Sequence, residues 1–153
     1  MKILVTGGAG FIGSAVIREA ISRDIQIVNV DSLTYAACSN NLESIKNNSE
    51  YSFEKADIRD RKSLDVVFNK HNPDAVMHLA AESHVDRSID DPKNFIQSNI
   101  VSVYNLLENF KLFSKKYKSK LIHISTDEVF GDILKGRTPE NYPYNPSSPY
   151  AAS

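Results

Sequence analysis

The chain has 153 residues, 41% of them hydrophobic and 24% charged, with a formal net charge of −1 at pH 7. That is one domain's worth of chain with enough apolar material for a core, which excludes a disordered, collagen-like or mucin-like protein. The near-neutral balance argues against nucleic acid as a partner, the lone Cys38 against a disulfide framework or cysteine-rich zinc site, and no apolar run reaches the roughly 20 residues that span a bilayer. Met1–Thr6 gives way to glycine at Gly7, too early for a secretory signal, so a soluble cytoplasmic domain without a membrane partner is expected.

Apolar runs and helical patterns alternate from the start. Ile3–Val5 reads as a short buried strand, followed by a helix over residues 11–22 whose Ile12, Val16 and Ala20 recur every four positions. Ile25–Val30 is a second strand, leading into Asp31, and residues 39–47 form a short polar surface helix. Tyr51–Lys55 is a third strand, followed by Asp57. Leu64, Val67, Phe68 and His71 mark a second amphipathic helix, stopped by Asn72-Pro73. Ala75–Leu79 is a fourth strand. A long helix runs from about Pro92 to about Lys116, with Ile96, Ile100, Val103, Leu107 and Phe110 as its apolar stripe. Leu121–Ile124 is a fifth strand and Ser125–Ser148 mostly loop, carrying four of the six prolines with Pro149.

Strands that are mostly apolar rather than alternating in and out, set between helices, indicate an α/β fold: a doubly wound parallel sheet of Rossmann type covered on both faces. Right-handed crossovers favour the order 3-2-1-4-5, with ligands at the carboxyl ends of the strands where that order reverses. Function is therefore sought after Thr6, Val30, Lys55, Leu79 and Ile124.

Four of the six glycines lie in Gly7-Gly8-Ala9-Gly10-Phe11-Ile12-Gly13. A phosphate-binding turn needs glycine for a tight strand-to-helix turn, for close approach of backbone to pyrophosphate, and for close packing of the helix. The helix start then offers free N–H groups and partial positive charge. Asp31, at the end of the next strand, lies near the expected separation of about 20 residues. A carboxylate there accepts hydrogen bonds from ribose hydroxyls and repels a 2′-phosphate, which favours NAD over NADP as cofactor. No Lys-Ser or Lys-Thr pair follows the glycines, so the Walker reading fails. Asp57-Ile58 is placed either to contact the adenine end or simply to form an Asx turn.

Leu79-Ala80-Ala81-Glu82-Ser83-His84 follows the fourth strand, and its small residues would let a flat ring or ribose lie against the backbone. Asp86 and Arg87 read as solvated charges. Thr126-Asp127-Glu128 closes the fifth strand. Adjacent carboxylates in a partly buried cleft would repel, leaving an acid beside a base, which suits elimination of water. The alternative is a polar helix N-cap with first-turn acids. Tyr150 opens a helical turn and has an ordinary pKa near 10, so it needs a nearby cation to serve as a base. His78 and His123 read as core residues, His71 as a cation at a helix end, and His84 as the histidine nearest the site. No metal-binding pattern is present.

Thr6–Gly13, Val30–Ala36, His78–Ile89, Ser125–Gly131 and Ser147–Ser153 together resemble the extended short-chain dehydrogenase/reductase family, and within it the dehydratases of nucleotide-linked hexoses. Related epimerases and decarboxylases share the glycine turn and the tyrosine but usually lack the Asp-Glu pair. The resemblance implies an internal redox cycle on a nucleotide-linked sugar. Tyr150 would take the proton of the 4-hydroxyl, with Thr126 bonded to the same hydroxyl. Glu128 would remove the C5 proton and Asp127 would protonate the departing C6 hydroxyl. It also places Gly7, Gly10, Phe11, Ile12, Gly13, Asp31, Ser32, Leu33, Thr34, Asp57, Ile58, Leu79, Ala80, Ala81, Glu82, Ser83, Ser98 and Tyr150 around NAD, with Ser83 and Thr126 against substrate. Ser32 stands where lysine is frequent, Ser98 where threonine is, Ser102 where glycine is and Phe130 where tyrosine is. Family chains are about twice as long, so residues 1–153 are expected to be an incomplete N-terminal cofactor-binding domain, followed by a lysine that activates Tyr150. The resemblance implies a homodimer of the full-length protein, with the long helix and its predecessor joining a second subunit in a four-helix bundle; the alternative is that the apolar stripe simply faces the sheet.

Overall fold

The computed structural model describes residues 1–153 as one five-stranded sheet flanked by helices. Its elements are β1 (Lys2–Thr6), α1 (Phe11–Ser22), β2 (Gln26–Asp31), a 3-10 segment (Ser39–Ile45), β3 (Tyr51–Lys55), α2 (Arg61–His71), β4 (Ala75–His78) and α3 (Val85–Asp90). A long rod follows, made of α4 (Lys93–Phe95), a π-helical stretch (Ile96–Val101) and α5 (Ser102–Ser114). Then come β5 (Lys120–His123), a 3-10 turn (Asp127–Phe130) and α6 (Pro149–Ala152). All neighbouring strands are parallel, in the order β3-β2-β1-β4-β5, the doubly wound arrangement the sequence predicts. Thr6 pairs with Val30 on one side and His78 on the other, and His78 with His123, so the glycine turn and the segments after β4 and β5 leave the sheet side by side.

Successive residues of a strand face opposite sides, so each interior strand feeds two cores. Leu4, Val28, Val30 and Val76 pack with Leu64, Val67 and Phe68 of α2 and Leu106 and Phe113 of α5. Val5 and Ile27 pack with Ile17, Ala20 and Ile21 of α1 and Leu42. This double burial is why the strands read as unbroken apolar runs. Each fully buried side chain of this kind contributes about 1.5–3 kcal/mol. Helix ends follow local chemistry. Asp60 caps α2 by accepting the Lys62 N–H at 3.0 Å, and Asn72, left-handed at φ 46°, ends it before Pro73.

Two helices turn a different face inward from the one expected. In α1 the buried residues are Gly13, Ser14, Ile17, Ala20 and Ile21, while Ile12 is 60% exposed. Gly13 sets this phase because it lies against the glycine turn. The expected single helix over 92–116 is interrupted by its π-helical stretch, and it buries Phe95, Ser102, Leu106, Asn109 and Phe113. Ile96, Ile100 and Leu107 of the predicted stripe stand exposed. The Ser102 hydroxyl donates to the Ser98 carbonyl, and Asn109 Nδ2 to the Arg61 carbonyl at 3.1 Å, while Asn109 Oδ1 is buried without a partner. His123 is also a correction. It is exposed rather than in the core, because β5 is an edge strand, and its ring stacks on that of buried His78 at 5.1 Å. Val85–Asp90 forms a short helix between β4 and the rod. No helix is long and apolar enough to cross a membrane.

Candidate functional site

The turns leaving β1, β2, β3 and β4 enclose a crevice lined by Gly7, Gly10, Asp31, Ser32, Thr34, Asp57, Ile58, Leu79, Ala80, Ala81, Glu82 and Ser98. Gly7 has φ +72°, and a Cβ there would lie 2.7 Å from the Ala80 Cα and N, so the main chains leaving β1 and β4 touch. A Cβ on Gly13 would lie 2.2 Å from the Gly7 carbonyl oxygen, which locks α1 onto the turn. Above Gly10 the space is open, the only close atom being that same oxygen at 3.2 Å. Gly10 also begins α1, with no side chain capping the helix and no acid in its first turn. The first N–H groups of a twelve-residue helix and its positive end therefore face a space that a phosphate fits.

Asp31 is only 8% exposed. One carboxylate oxygen accepts the Ala9 N–H at 2.9 Å and the other the Leu33 N–H at 2.8 Å, fixing the group between the glycine turn and its own loop. Each oxygen keeps further acceptor capacity, as a ribose diol requires. Leu33 adopts φ +58° to complete this turn. Asp57 accepts the Arg59 N–H at 2.9 Å, which makes the expected Asx turn, and it also lines the crevice. The Arg59 side chain, hydrogen-bonded to it, holds the Asp57 carboxyl below the usual carboxylate range. Arg59 lines the crevice too, without any motif that marks it in the sequence.

A second cavity shares Ala80 and Ala81 with the first and brings together His78, Asn99, His123, Thr126 and Tyr150. Tyr150 lies in the first turn of α6, which Ser148 caps by accepting the Ala151 N–H at 3.0 Å. Its own N–H donates to the Ser88 hydroxyl at 3.1 Å, and its ring meets Phe95 edge-on at 6.4 Å. Asn99 escapes sequence reasoning. Its Oδ1 accepts the Glu82 N–H, and its Nδ2 donates to the Glu82 carbonyl and the Ser153 hydroxyl, all at 2.9 Å. The signal available was an asparagine inside an apolar helical run, a residue type that competes with helix and here lies in the π-helical stretch. The Thr6 hydroxyl oxygen accepts the Ala80 N–H at 3.3 Å and is hydrogen-bonded to His78 Nδ1 at 2.6 Å. Burial, aided by His123, lowers the His78 pKa to about 4.

The acid pair lies differently from expectation. Asp127 and Glu128 are both exposed on the 3-10 turn after β5 and line neither cavity, so the partly buried cleft expected for them is absent. The N-cap reading holds instead, with Thr126 Oγ1 accepting the Glu128 N–H at 3.2 Å. Phe11 and Ile12 are exposed at the start of α1, and they, Gly13, Leu33 and Ser83 flank the cavities rather than line them. His84 is exposed at the start of α3, outside both cavities. Arg87, expected to be solvated, stacks its guanidinium 4.2 Å over the Tyr35 ring.

A family model described as GDP-mannose 4,6 dehydratase matches residues 4–153. The dTDP-glucose 4,6-dehydratase of Haemophilus influenzae is 51% identical over 162 residues, covering 100% of this chain and 48% of the relative. Among solved structures, the dTDP-glucose 4,6-dehydratase DesIV of Streptomyces venezuelae, with NAD and TYD bound, superposes with TM-score 0.92 at 39% identity, over 99% of this chain and 48% of that one. The UDP-glucose 4-epimerase of Thermus thermophilus in complex with NAD gives TM-score 0.87 at 32% identity, over 99% and 47%. The chain spans about half the length of the curated relatives it matches.

Proposed function

The chain belongs to the GDP-mannose 4,6 dehydratase family, and on that premise we propose that it is the NAD-binding part of a cytoplasmic dTDP-glucose 4,6-dehydratase. The observation that carries this is the crevice itself. An uncapped helix start and an oriented, buried carboxylate share one wall, and Ala80–Ala81 joins that space to the cavity holding Thr126 and Tyr150. Gly7, Gly10, Phe11, Ile12 and Gly13 hold the pyrophosphate, and Asp31 with Ser32, Leu33 and Thr34 the adenosine ribose. Asp57 and Ile58 lie at the adenine, and Leu79–Ser83, Ser98 and Tyr150 towards the nicotinamide. The Asp31 carboxylate repels a 2′-phosphate and so selects NAD against NADP.

The chemistry that NAD supplies when bound is reversible hydride transfer. The protein's own groups move the protons. Tyr150 accepts the proton of the sugar 4-hydroxyl, which Thr126 orients by a hydrogen bond, and Ser83 contacts the sugar. Once C4 is a ketone the C5–H bond is acidic, so Glu128 removes that proton while Asp127 delivers one to the departing C6 hydroxyl, which leaves as water. The pair supports dehydration over the epimerisation named for some structural neighbours, which needs no leaving hydroxyl. The exposed row Ile96, Ile100, Tyr104 and Leu107 on the long rod supports a homodimer of the full-length protein.

Asp127→Asn and Glu128→Gln, made in a chain extended to the length of its relatives, are expected to block elimination while reduced cofactor still accumulates from the first oxidation. Dehydration at the wild-type rate would refute the acid assignment. The exposure of both acids favours a second reading for residues 1–153 taken alone, namely dinucleotide binding without turnover. Titration with NAD+ and assay of sugar-nucleotide dehydration distinguish the two.

A further inference from the structure

The crevice has two lips that come from distant parts of the chain. Thr34, Ala36 and Ala37 of the loop after β2 form one, and Ala81 and Glu82 after β4 form the other. A single side-chain hydrogen bond crosses between them, from the Tyr35 hydroxyl to Glu82 Oε2 at 2.8 Å. The two sides are anchored differently. Glu82 projects from a fixed main chain, because both its N–H and its carbonyl are bonded to Asn99. Tyr35 rides on a turn closed by the Ala37 N–H to the Thr34 carbonyl at 3.0 Å and tied to the rest of the molecule near its ends, by the Leu33 N–H to Asp31 and the Cys38 N–H to the Ala9 carbonyl. Its ring is 61% exposed and belongs to no core, yet both of its polar features are engaged: the hydroxyl by Glu82 and the face by the Arg87 guanidinium. Accepting from the phenol, the Glu82 carboxylate also raises the Tyr35 pKa, which keeps the hydroxyl a donor.

The Tyr35 hydroxyl thus joins one lip to the other, and Arg87 of α3 stacks on its ring. We propose that Tyr35, Glu82 and Arg87 form a latch across the crevice that sets how long a bound dinucleotide is retained. The proposal rests on the crevice being the NAD site. A dinucleotide lying on the glycine turn and Asp31 leaves only when the lips part, which breaks a hydrogen bond to a carboxylate and a cation–π contact together. Retention suits a reaction in which the hydride taken from C4 is returned to the same sugar, since the cofactor does not need to exchange between turnovers. Arg87 and Tyr35 are thus positioning residues acting through the loop, not groups in the reaction.

The test follows NADH fluorescence in this chain, with dissociation started by excess NAD+. Tyr35→Phe removes one exposed oxygen. It should raise the dissociation rate about fivefold, the order expected for losing one solvent-accessible hydrogen bond to a charged acceptor, with association changed less than about twofold. Arg87→Met keeps the aliphatic stem and should raise dissociation about twofold, which gives a second reading should the first variant fold poorly. A wild-type dissociation rate in Tyr35→Phe overturns the latch. Failure of the wild-type chain to bind NADH overturns the NAD reading itself, and the latch with it.

Discussion

The two walls of the crevice are built on opposite principles. On the side of β1 and β2, the ligand-facing groups are main chain and one buried carboxylate, and every position is fixed by backbone contact: Gly7 on Ala80, Gly13 on Gly7, Asp31 on Ala9 and Leu33. On the side of β5, the chemistry hangs from an edge strand whose Ile122, His123 and Ile124 are exposed, and Asp127 and Glu128 stand in solvent on a turn held by the Thr126 cap. Charges in water are screened and their interactions weak, whereas the same charges in a dry cleft are strong. The proposed dinucleotide recognition therefore rests on groups that these residues hold in place themselves. The proposed acid–base step depends on what covers the β5 side.

The sharpest way to break this contrast is to disturb each wall by one small substitution. Gly13→Ala puts a methyl group 2.2 Å from the Gly7 oxygen and 2.8 Å from the Gly8 Cα, both main-chain atoms that have no flexible end to yield. We expect a loss of about 3 kcal/mol or more, at the upper end for an overpacked site, together with loss of NADH binding. Asp127→Ala on the exposed wall should stay within about 0.5 kcal/mol of wild type. Urea unfolding of both variants checks this, and a Gly13→Ala chain as stable as wild type would show that the glycine wall is not rigid.

His78 stands between the walls and gives the next largest effect, one set by pH. In the folded chain it takes up a proton only at about pH 4, whereas in the unfolded chain it titrates near 6.5. Between those values the unfolded state binds the extra proton, so stability falls as the pH drops from about 6.5 to 4, by about 3 kcal/mol in all. Above pH 7 both states are neutral there and the contribution is flat. By pH 5 about 2 kcal/mol should be lost relative to pH 7. His78→Asn keeps a hydrogen-bond partner for the Thr6 hydroxyl but does not titrate, so its unfolding midpoint in urea should move less over that interval. An equal slope in both proteins would show that His78 is not the buried titrating group.

The same division between walls decides what was legible in the sequence. Strand order and the glycine turn could be read because a sheet buried on both faces leaves unbroken apolar runs, and because a main-chain site demands glycine. Asp31 followed, its spacing from the turn being fixed by one helix and one strand. The long rod misleads because apolar size does not mark its buried face: Ser102 turns inward on a bond to the Ser98 carbonyl four residues back, and Asn109 on one to the Arg61 carbonyl of α2, which only the folded chain supplies. Asn99 and the Tyr35–Glu82 contact join residues 17 and 47 positions apart, and no local period reports such pairs. For Asp127 and Glu128 the spacing was correctly seen, but burial is a property of what packs above a turn, which two adjacent letters do not encode.

The smallest of these effects separates binding from chemistry most cleanly. Asp31→Asn leaves one acceptor oxygen where two now serve the Ala9 and Leu33 N–H groups, and it replaces the other with a donor that faces one of them. The charge-assisted bonds proposed from the carboxylate to the ribose diol go as well. We expect NADH affinity to fall about tenfold, close to 1.4 kcal/mol, with the preference against a 2′-phosphate relaxed, because the repelling charge is removed. Asp127→Asn, on the other wall, should leave NADH affinity unchanged, since that side chain lies outside the crevice. Fluorescence titrations of both variants with NADH and NADPH test the pair. Equal losses from the two would mean that the dinucleotide reaches across to the β5 turn, and that the walls act as one site instead of two.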